Sequence, residues 1–265
     1  MRLTMLDLRR MAAERKIAML TCYDASFAAV LDRAGIDTLL IGDSLGMVIQ
    51  GHDSTLPVTV EDVAYHTRAV ARGSQRAFIV ADMPFGSYQA SPPQALDNAV
   101  QLMQAGAQMV KLEGGDEMAP TIAFLVERGV PVCAHVGLTP QHVNRFGGYR
   151  IQGRGQAAAR IRAAARSVIQ AGAEMMVIEA VPEPLARAIA SDSKAVTIGI
   201  GASVACSGQV LVLHDMLGVA TDRRPRFVKN FLAESGSVEA AARAYLEQVR
   251  SGTFPGAEHV YPESA

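Results

Sequence analysis

Acidic side chains stand directly after short apolar runs in this chain. Asp43 follows the run 38–42, Asp82 follows 77–81, Glu113 follows 108–112 and Glu179 follows 175–178. Continuous apolar runs of strand length are what strands buried on both faces require. Packing alone does not explain a carboxylate at the end of each. Three carboxylates brought together repel one another strongly unless something neutralises them. A divalent cation does that, and an all-oxygen ligand set suits Mg²⁺. Asp43, Asp82 and Glu113 are therefore candidate metal ligands. The cysteines and histidines show no zinc spacing.

Lys111 lies two residues before Glu113, so in a strand the two share a face. Lys111 then either pairs with Glu113 or holds a substrate carboxylate as a point charge. A Lewis-acid cation beside a free carboxylate base suits removal of a proton next to a carbonyl. Glu179 is the candidate base. The chemistry expected is metal-assisted enolisation of a small 2-oxo acid, followed by C–C bond formation or cleavage.

Other polar residues have simpler readings. Asp24 follows the run 18–22 and reads as a helix N-cap. Asp43 and Asp82 could each be caps too, but their repetition after successive runs weakens that reading. His135 follows the run 130–134, either near the site or as a satisfied interior histidine. His214 and Asp215 follow the last run. His52, His66 and His142 are expected at the surface, in loops or helices. Cys133 reads as a small core residue rather than a nucleophile.

These residues need elements to place them. Eight strand-like runs occur, at 18–22, 38–42, 77–81, 108–112, 130–134, 175–178, 195–200 and 210–213. Helix-like segments alternate with them. Ala95, Ala99 and Leu102 share one face of such a segment, and Ile161, Ala164, Ala165 and Ile169 share another. Gly35, Gly73, Gly106, Gly129 and Gly172 close helical segments and are expected as left-handed caps. Strand and helix in alternation predict an α/β fold with parallel strands. Eight such units in about 250 residues predict a single (β/α)₈ TIM barrel. Its domain spans 1–265, with a short N-terminal helical extension, a last helix over 238–249 and an extended tail over 251–265. In such a barrel the C-terminal strand ends meet at one rim, which carries the chemistry. The Gly-rich stretch 146–155 follows the fifth run and is expected to be a mobile active-site loop. A doubly wound sheet is the alternative, but Gly199 and Gly201 lack the third glycine of a dinucleotide fingerprint, and no P-loop occurs.

Composition excludes several classes. The chain has 265 residues, 49% of them apolar, with a formal charge of -1. That balance fits a globular protein and argues against a nucleic-acid partner, the densest basic run being Asp222 to Arg226. No run approaches the ~18 apolar residues of a membrane span. Residues 1–15 mix charged and apolar residues and are not expected to be a signal peptide. Three dispersed cysteines, Cys22, Cys133 and Cys206, predict free thiols in a reducing cytoplasm.

The order of motifs resembles the ketopantoate hydroxymethyltransferase family. The resemblance runs from about Lys16 to the end of the chain. It is carried by Thr21-Cys22-Tyr23-Asp24, Gly42-Asp43-Ser44-Leu45-Gly46-Met47, the segment 51–59, Ala81-Asp82-Met83-Pro84-Phe85, Val110-Lys111-Leu112-Glu113-Gly114-Gly115, His135 to Gln141, and Phe146-Gly147-Gly148-Tyr149. It implies a (β/α)₈ barrel that passes a hydroxymethyl group from 5,10-methylenetetrahydrofolate to 3-methyl-2-oxobutanoate, giving 2-dehydropantoate for pantothenate synthesis. It further implies Mg²⁺ on Asp43 and Asp82 with Glu113 completing the site, directly or through water. The oxo acid would be contacted by Asp43, Ser44, Asp82 and Lys111, with His135 nearby and Glu179 as proton acceptor. The family forms homo-oligomers, commonly decamers. Two positions depart from its pattern. Ser203 replaces a glycine and is expected to be conformationally strained, and Ser207 replaces an aspartate. The competing readings are a metal-dependent lyase or aldolase barrel of the phosphoenolpyruvate/pyruvate type, a Schiff-base aldolase using Lys111, and a barrel that binds without catalysis.

Overall fold

All eight apolar runs become strands of a closed parallel barrel, joined in chain order. The computed structural model describes residues 1–219 and 225–263. The strands are β1 (Ile17–Thr21), β2 (Thr38–Ile41), β3 (Phe78–Asp82), β4 (Met109–Glu113), β5 (Val132–Gly137), β6 (Met175–Glu179), β7 (Val196–Ile200) and β8 (Gly208–Leu211). β1 pairs with β8 and closes the ring. Every strand residue is buried except Glu179, which is why the runs read as apolar without alternation.

Four strands, β3 to β6, end later than the apolar runs suggest, whereas β1, β2 and β8 end one or two residues earlier. Asp82, Glu113 and Glu179 are the last residues of their strands, and β5 continues three residues past its apolar run to Gly137. Backbone pairing persists where side chains turn polar. Register sets Asp82 against Lys111 and Glu113 against His135, and paired residues of neighbouring parallel strands face the same way. The polar ring at the mouth is thus a consequence of strand register.

The helices cover the barrel with their apolar faces. In Ala25–Ala34, Asp24 caps the first turn by accepting from the Phe27 N–H at 2.9 Å, and Gly35 ends it at φ 91°. Gly106, Gly129 and Gly172 are also left-handed, as expected. Gly73 is not. It is the last residue of the helix Val60–Gly73, and the residue that follows, Ser74, is extended. Glycine is needed there because a Cβ would run into the Ala25 backbone, where this helix crosses Ala25–Ala34.

An N-terminal helix, Met5–Glu14, lies at the opposite end from the mouth. Leu3 bonds to Arg76 and Gln108, and Arg9 to Glu174, all of which precede strands. The last helix spans Val238–Ser251. The segment after it, expected as an extended tail, folds back. Phe254 is buried, and Tyr261 makes a parallel bridge to Pro182 just beyond β6. Asp222, Arg223 and Arg224 of the basic run, and the last two residues of the tail, lie outside the described residues. Among the described residues no helix is long and apolar enough to cross a membrane.

Candidate active site

Seven side chains converge at the C-terminal mouth. Asp82 ends β3, and Lys111 on β4 places its Nζ 2.6 Å from Asp82 Oδ1. The other Asp82 oxygen accepts from the Asp43 backbone N–H at 2.9 Å, which fixes the turn after β2. Ser44 follows, and its Oγ lies 2.9 Å from the Tyr23 hydroxyl. Glu113 ends β4, with Oε1 3.3 Å from His135 Nδ1. On the far side His135 Nε2 lies 3.2 Å from Glu179 Oε2. Asp43, Asp82, Lys111, Glu113 and His135 are all buried, whereas the Glu179 side chain keeps 15% of its surface exposed. Of the acids at the mouth, Glu179 is the one open to an approaching molecule.

Charge balance shapes this cluster. Burial and the charges of Asp82 and Glu113 push the Asp43 carboxyl well above the ordinary carboxylate range. Burial raises Asp82 too, although the Lys111 ammonium opposes it. Burial would lower Lys111, but Asp82, Glu113 and Asp43 outweigh it and hold the ammonium charged. Burial would raise Glu113, but hydrogen bonding and charge from His135 outweigh it and hold the carboxyl low. Burial and Lys111 disfavour the imidazolium of His135, yet Glu113 and Glu179 raise it to about 9. His135 therefore carries a proton on each nitrogen at neutral pH and faces a carboxylate at each end. Its contact with Lys111 Nζ, at 3.4 Å, is then between like charges.

With every acid ionised, four carboxylates face one ammonium and one imidazolium. That leaves an excess of two negative charges in a buried site, which suits a dication. The donors are all oxygen, which suits Mg²⁺. Asp82 Oδ1 is buried without an aligned hydrogen bond, despite its closeness to Lys111. Among the described residues, no three His, Cys, Asp or Glu side chains are arranged to enclose an ion. Mg²⁺ does not need such a cage, because it keeps several waters and takes one or two carboxylates. Asp43 and Asp82 fit that role. Glu113 stands further back, its two oxygens occupied by His135 and by the Gln141 backbone N–H at 3.0 Å.

Comparison with known proteins gives this arrangement a family. The family model described as ketopantoate hydroxymethyltransferase matches residues 2–257. The chain belongs to the ketopantoate hydroxymethyltransferase family. It is 62% identical to 3-methyl-2-oxobutanoate hydroxymethyltransferase of Azoarcus sp. (strain BH72) over 97% of this chain and 96% of that one. It is 59% identical to the protein of the same name from Chromobacterium violaceum, over 98% of this chain and all of that one. Among solved structures, phosphonopyruvate hydrolase in complex with oxalate and Mg²⁺ superposes with a TM-score of 0.61, covering 97% of this chain and 93% of that one. At 13% identity that likeness shows a shared barrel fold.

As a member of the ketopantoate hydroxymethyltransferase family, the chain brings together all the site residues expected from its sequence. One pairing differs from the expected structural alternative. Lys111 pairs with Asp82 rather than Glu113, because register outranks spacing along one strand. His66 is not a surface residue. It is half-buried, with Nδ1 2.6 Å from the Tyr23 carbonyl oxygen. His142 is also half-buried, beside Thr139 Oγ1 at 2.9 Å, while His52 is exposed. His214 and Asp215 belong to the short helix Leu213–Met216, where the His214 ring packs against Tyr23. Cys133 is buried and its thiol is pushed up to about 12 by burial, which rules out a ready nucleophile.

Ser203 departs from expectation. Ala180 is the one non-glycine residue with positive φ among the described residues, so Ser203 carries no left-handed strain. Its Oγ donates instead to Glu183 Oε1 at 2.7 Å. Ser207 lies just before β8, at the barrel end away from the mouth, and its Oγ lies 3.2 Å from Thr197 Oγ1. Losing a carboxylate there leaves the site untouched.

Three residues at the mouth escape sequence reasoning. Gln141 and Tyr88 are buried among the acids. Tyr149, on the Gly-rich stretch, reaches across to Met47 Sδ at 3.5 Å. Gln141 and Tyr149 sit inside motifs that carry the family resemblance, but neither has a periodicity or charge that assigns a role.

Proposed function

We propose that this chain transfers a hydroxymethyl group from 5,10-methylenetetrahydrofolate to 3-methyl-2-oxobutanoate, with water as the third reactant, giving 2-dehydropantoate and tetrahydrofolate. The observation that carries this reading is the contrast at the mouth. A partly open carboxylate, Glu179, faces a buried group of acids and a buried ammonium across His135.

The residues divide the work. Lys111 supplies a fixed positive charge for the carboxylate of the oxo acid. Asp43 and Asp82 would hold Mg²⁺, with Glu113 behind them, and Ser44 lies at the same turn as Asp43. Bound Mg²⁺ supplies Lewis-acid polarisation of the 2-oxo group. Water releases the one-carbon unit from the donor's two nitrogens, which keep the water's protons as tetrahydrofolate, and its oxygen stays on that unit as an aldehyde. Glu179 takes the proton from C3, the electron pair left there forms the new bond to the aldehyde carbon, and the aldehyde oxygen takes up a proton as the new hydroxyl. His135 Nε2, 3.2 Å from Glu179 Oε2, fixes where that carboxylate lies at the mouth. The same reading includes a homo-oligomer, a decamer by family resemblance, working in the cytoplasm without nucleic-acid or membrane partners.

Deuterium entry at C3 tests it. Proton NMR of 3-methyl-2-oxobutanoate in D₂O, with the protein and tetrahydrofolate, is followed with Mg²⁺ and then with excess EDTA. 2-Dehydropantoate formation from the complete donor is measured in parallel. Exchange and product formation should both need the cation. Glu179→Gln should keep oxo-acid binding and lose about 10²–10⁴-fold in rate, the usual worth of a positioned base. Near-normal turnover in that variant would place the base elsewhere.

A further inference from the structure

Gln141 is 3% exposed and bonds to more of the mouth than any residue the reaction itself calls upon. Its side-chain Nε2 donates to Asp43 Oδ2 at 2.9 Å and to the Met83 carbonyl oxygen at 3.0 Å. Its Oε1 accepts from the Tyr88 hydroxyl at 2.6 Å and from Gln89 Nε2 at 3.2 Å. Its backbone N–H donates to Glu113 Oε2 at 3.0 Å. This network admits one orientation of the amide. A carboxylate and a carbonyl can only accept, so the NH₂ must face them. The flipped amide would set an oxygen against two oxygens and an NH₂ against another NH₂.

We infer that Gln141 is a positioning residue for the cation. Its amide fixes the rotation of Asp43, occupying Oδ2 and leaving Oδ1 as the oxygen for Mg²⁺, while its backbone holds Glu113 behind. The local chain explains how it gets there. Thr139-Pro140 starts a short turn after β5, Pro140–His142, which brings residue 141 back against Asp43 and Glu113. Tyr88, on the segment after β3, locks it from the other side. Partners of this kind, one bond removed from the ligand atoms, commonly control affinity by ten- to a hundredfold. An octahedral cation is the more sensitive because it tolerates little misplacement of its carboxylates.

The inference rests on the proposed cation at Asp43 and Asp82, but its test is separable from the reaction. Mn²⁺ is titrated into the full-length protein and followed by electron paramagnetic resonance, with calorimetry using Mg²⁺. Gln141→Met keeps the side-chain length and removes the amide. It should weaken both cations by about ten- to a hundredfold and alter the bound Mn²⁺ spectrum. KM for the oxo acid should rise at limiting Mg²⁺, and kcat should recover largely at saturating Mg²⁺. Tyr88→Phe frees Oε1 from its 2.6 Å bond and also takes the acceptor from the Glu113 N–H at 3.1 Å; it should move affinity in the same direction by less. It carries the test if Gln141→Met does not fold. Unchanged affinity and spectrum in a folded Gln141→Met, or in Tyr88→Phe when the first does not fold, overturns the positioning role and leaves the reaction standing. A wild-type protein that binds neither cation overturns the cation reading and this role with it.

Discussion

Lys111 shows what burial does to a single charge. Its ammonium has no water to fall back on and is held by three carboxylates, nearest Asp82 at 2.6 Å. Removing one partner of a buried pair typically costs about 3–5 kcal/mol, because the other charge is left uncompensated. Lys111→Met should therefore lower stability by roughly that amount in urea unfolding without added cation. Mg²⁺ should restore part of the loss, since it returns positive charge to the same carboxylates. An equal loss with and without Mg²⁺ would mean that the cation does not take over the charge of the missing ammonium. The residue types at this site were legible in the sequence, since a carboxylate after a buried run has few structural excuses. Their partners were not. Spacing placed Lys111 beside Glu113, but the pairing of β3 with β4 gives it to Asp82.

At the scale of elements, the ends of β5 and β6 decide where Glu179 points. The chain leaves β6 through Ala180 at φ 45°, a conformation that costs an L-residue roughly 1 kcal/mol. Two bonds hold it there, from the Ala180 N–H to the Ile200 carbonyl at 2.9 Å and from the Gln152 N–H to the Ala180 carbonyl at 3.0 Å. Beside it Gly137 ends β5 at φ 98°, and a Cβ there would strike the Glu179 carbonyl oxygen. Gly137→Ala must push the Glu179 backbone aside. Displacing a reacting group by about 1 Å can cost about a hundredfold in rate. The variant should thus lose about a hundredfold in C3 exchange while remaining folded by circular dichroism. Wild-type exchange would mean that β5 yields instead. Glycine was easy to read where it caps a helix, as at Gly35, and misread at Gly73. There, as at Gly137, the glycine answers to a neighbour distant in sequence. One chain read along its length does not reveal that neighbour.

Over the whole molecule, the two ends of the barrel divide function from stability. The mouth gathers charges that leave a carboxylate excess, whereas the far end gathers charges that hold the chain together. Asp37, just before β2, is fully buried and accepts from three arginines. Arg15 leads into β1, Arg76 leads into β3, and Arg250 sits in the last turn of Val238–Ser251, at 3.0, 3.1 and 3.3 Å. The Ala18 N–H is a fourth partner, at 3.1 Å. A single carboxylate thus ties the starts of β1, β2 and β3 to the last helix. The eight-unit barrel was readable because its buried runs repeat. This tie was not, because Asp37 stands outside any run and its partners lie 22, 39 and 213 positions away. Asp37→Ala strands three guanidinium groups, but each keeps about a third of its surface in water, between 31% and 37%. The loss should therefore fall near the low end for a buried pair, about 3 kcal/mol. In a chain of this size that lowers the melting temperature by roughly 6–12 °C. Turnover at 25 °C, where the variant is still folded, should stay within about twofold of wild type, because catalytic geometry in such barrels resides at the opposite face. Calorimetry and a 2-dehydropantoate assay on the same sample check both halves. A fall in turnover without a fall in melting temperature would show that the far end positions the mouth, and the division between the two ends would then be wrong.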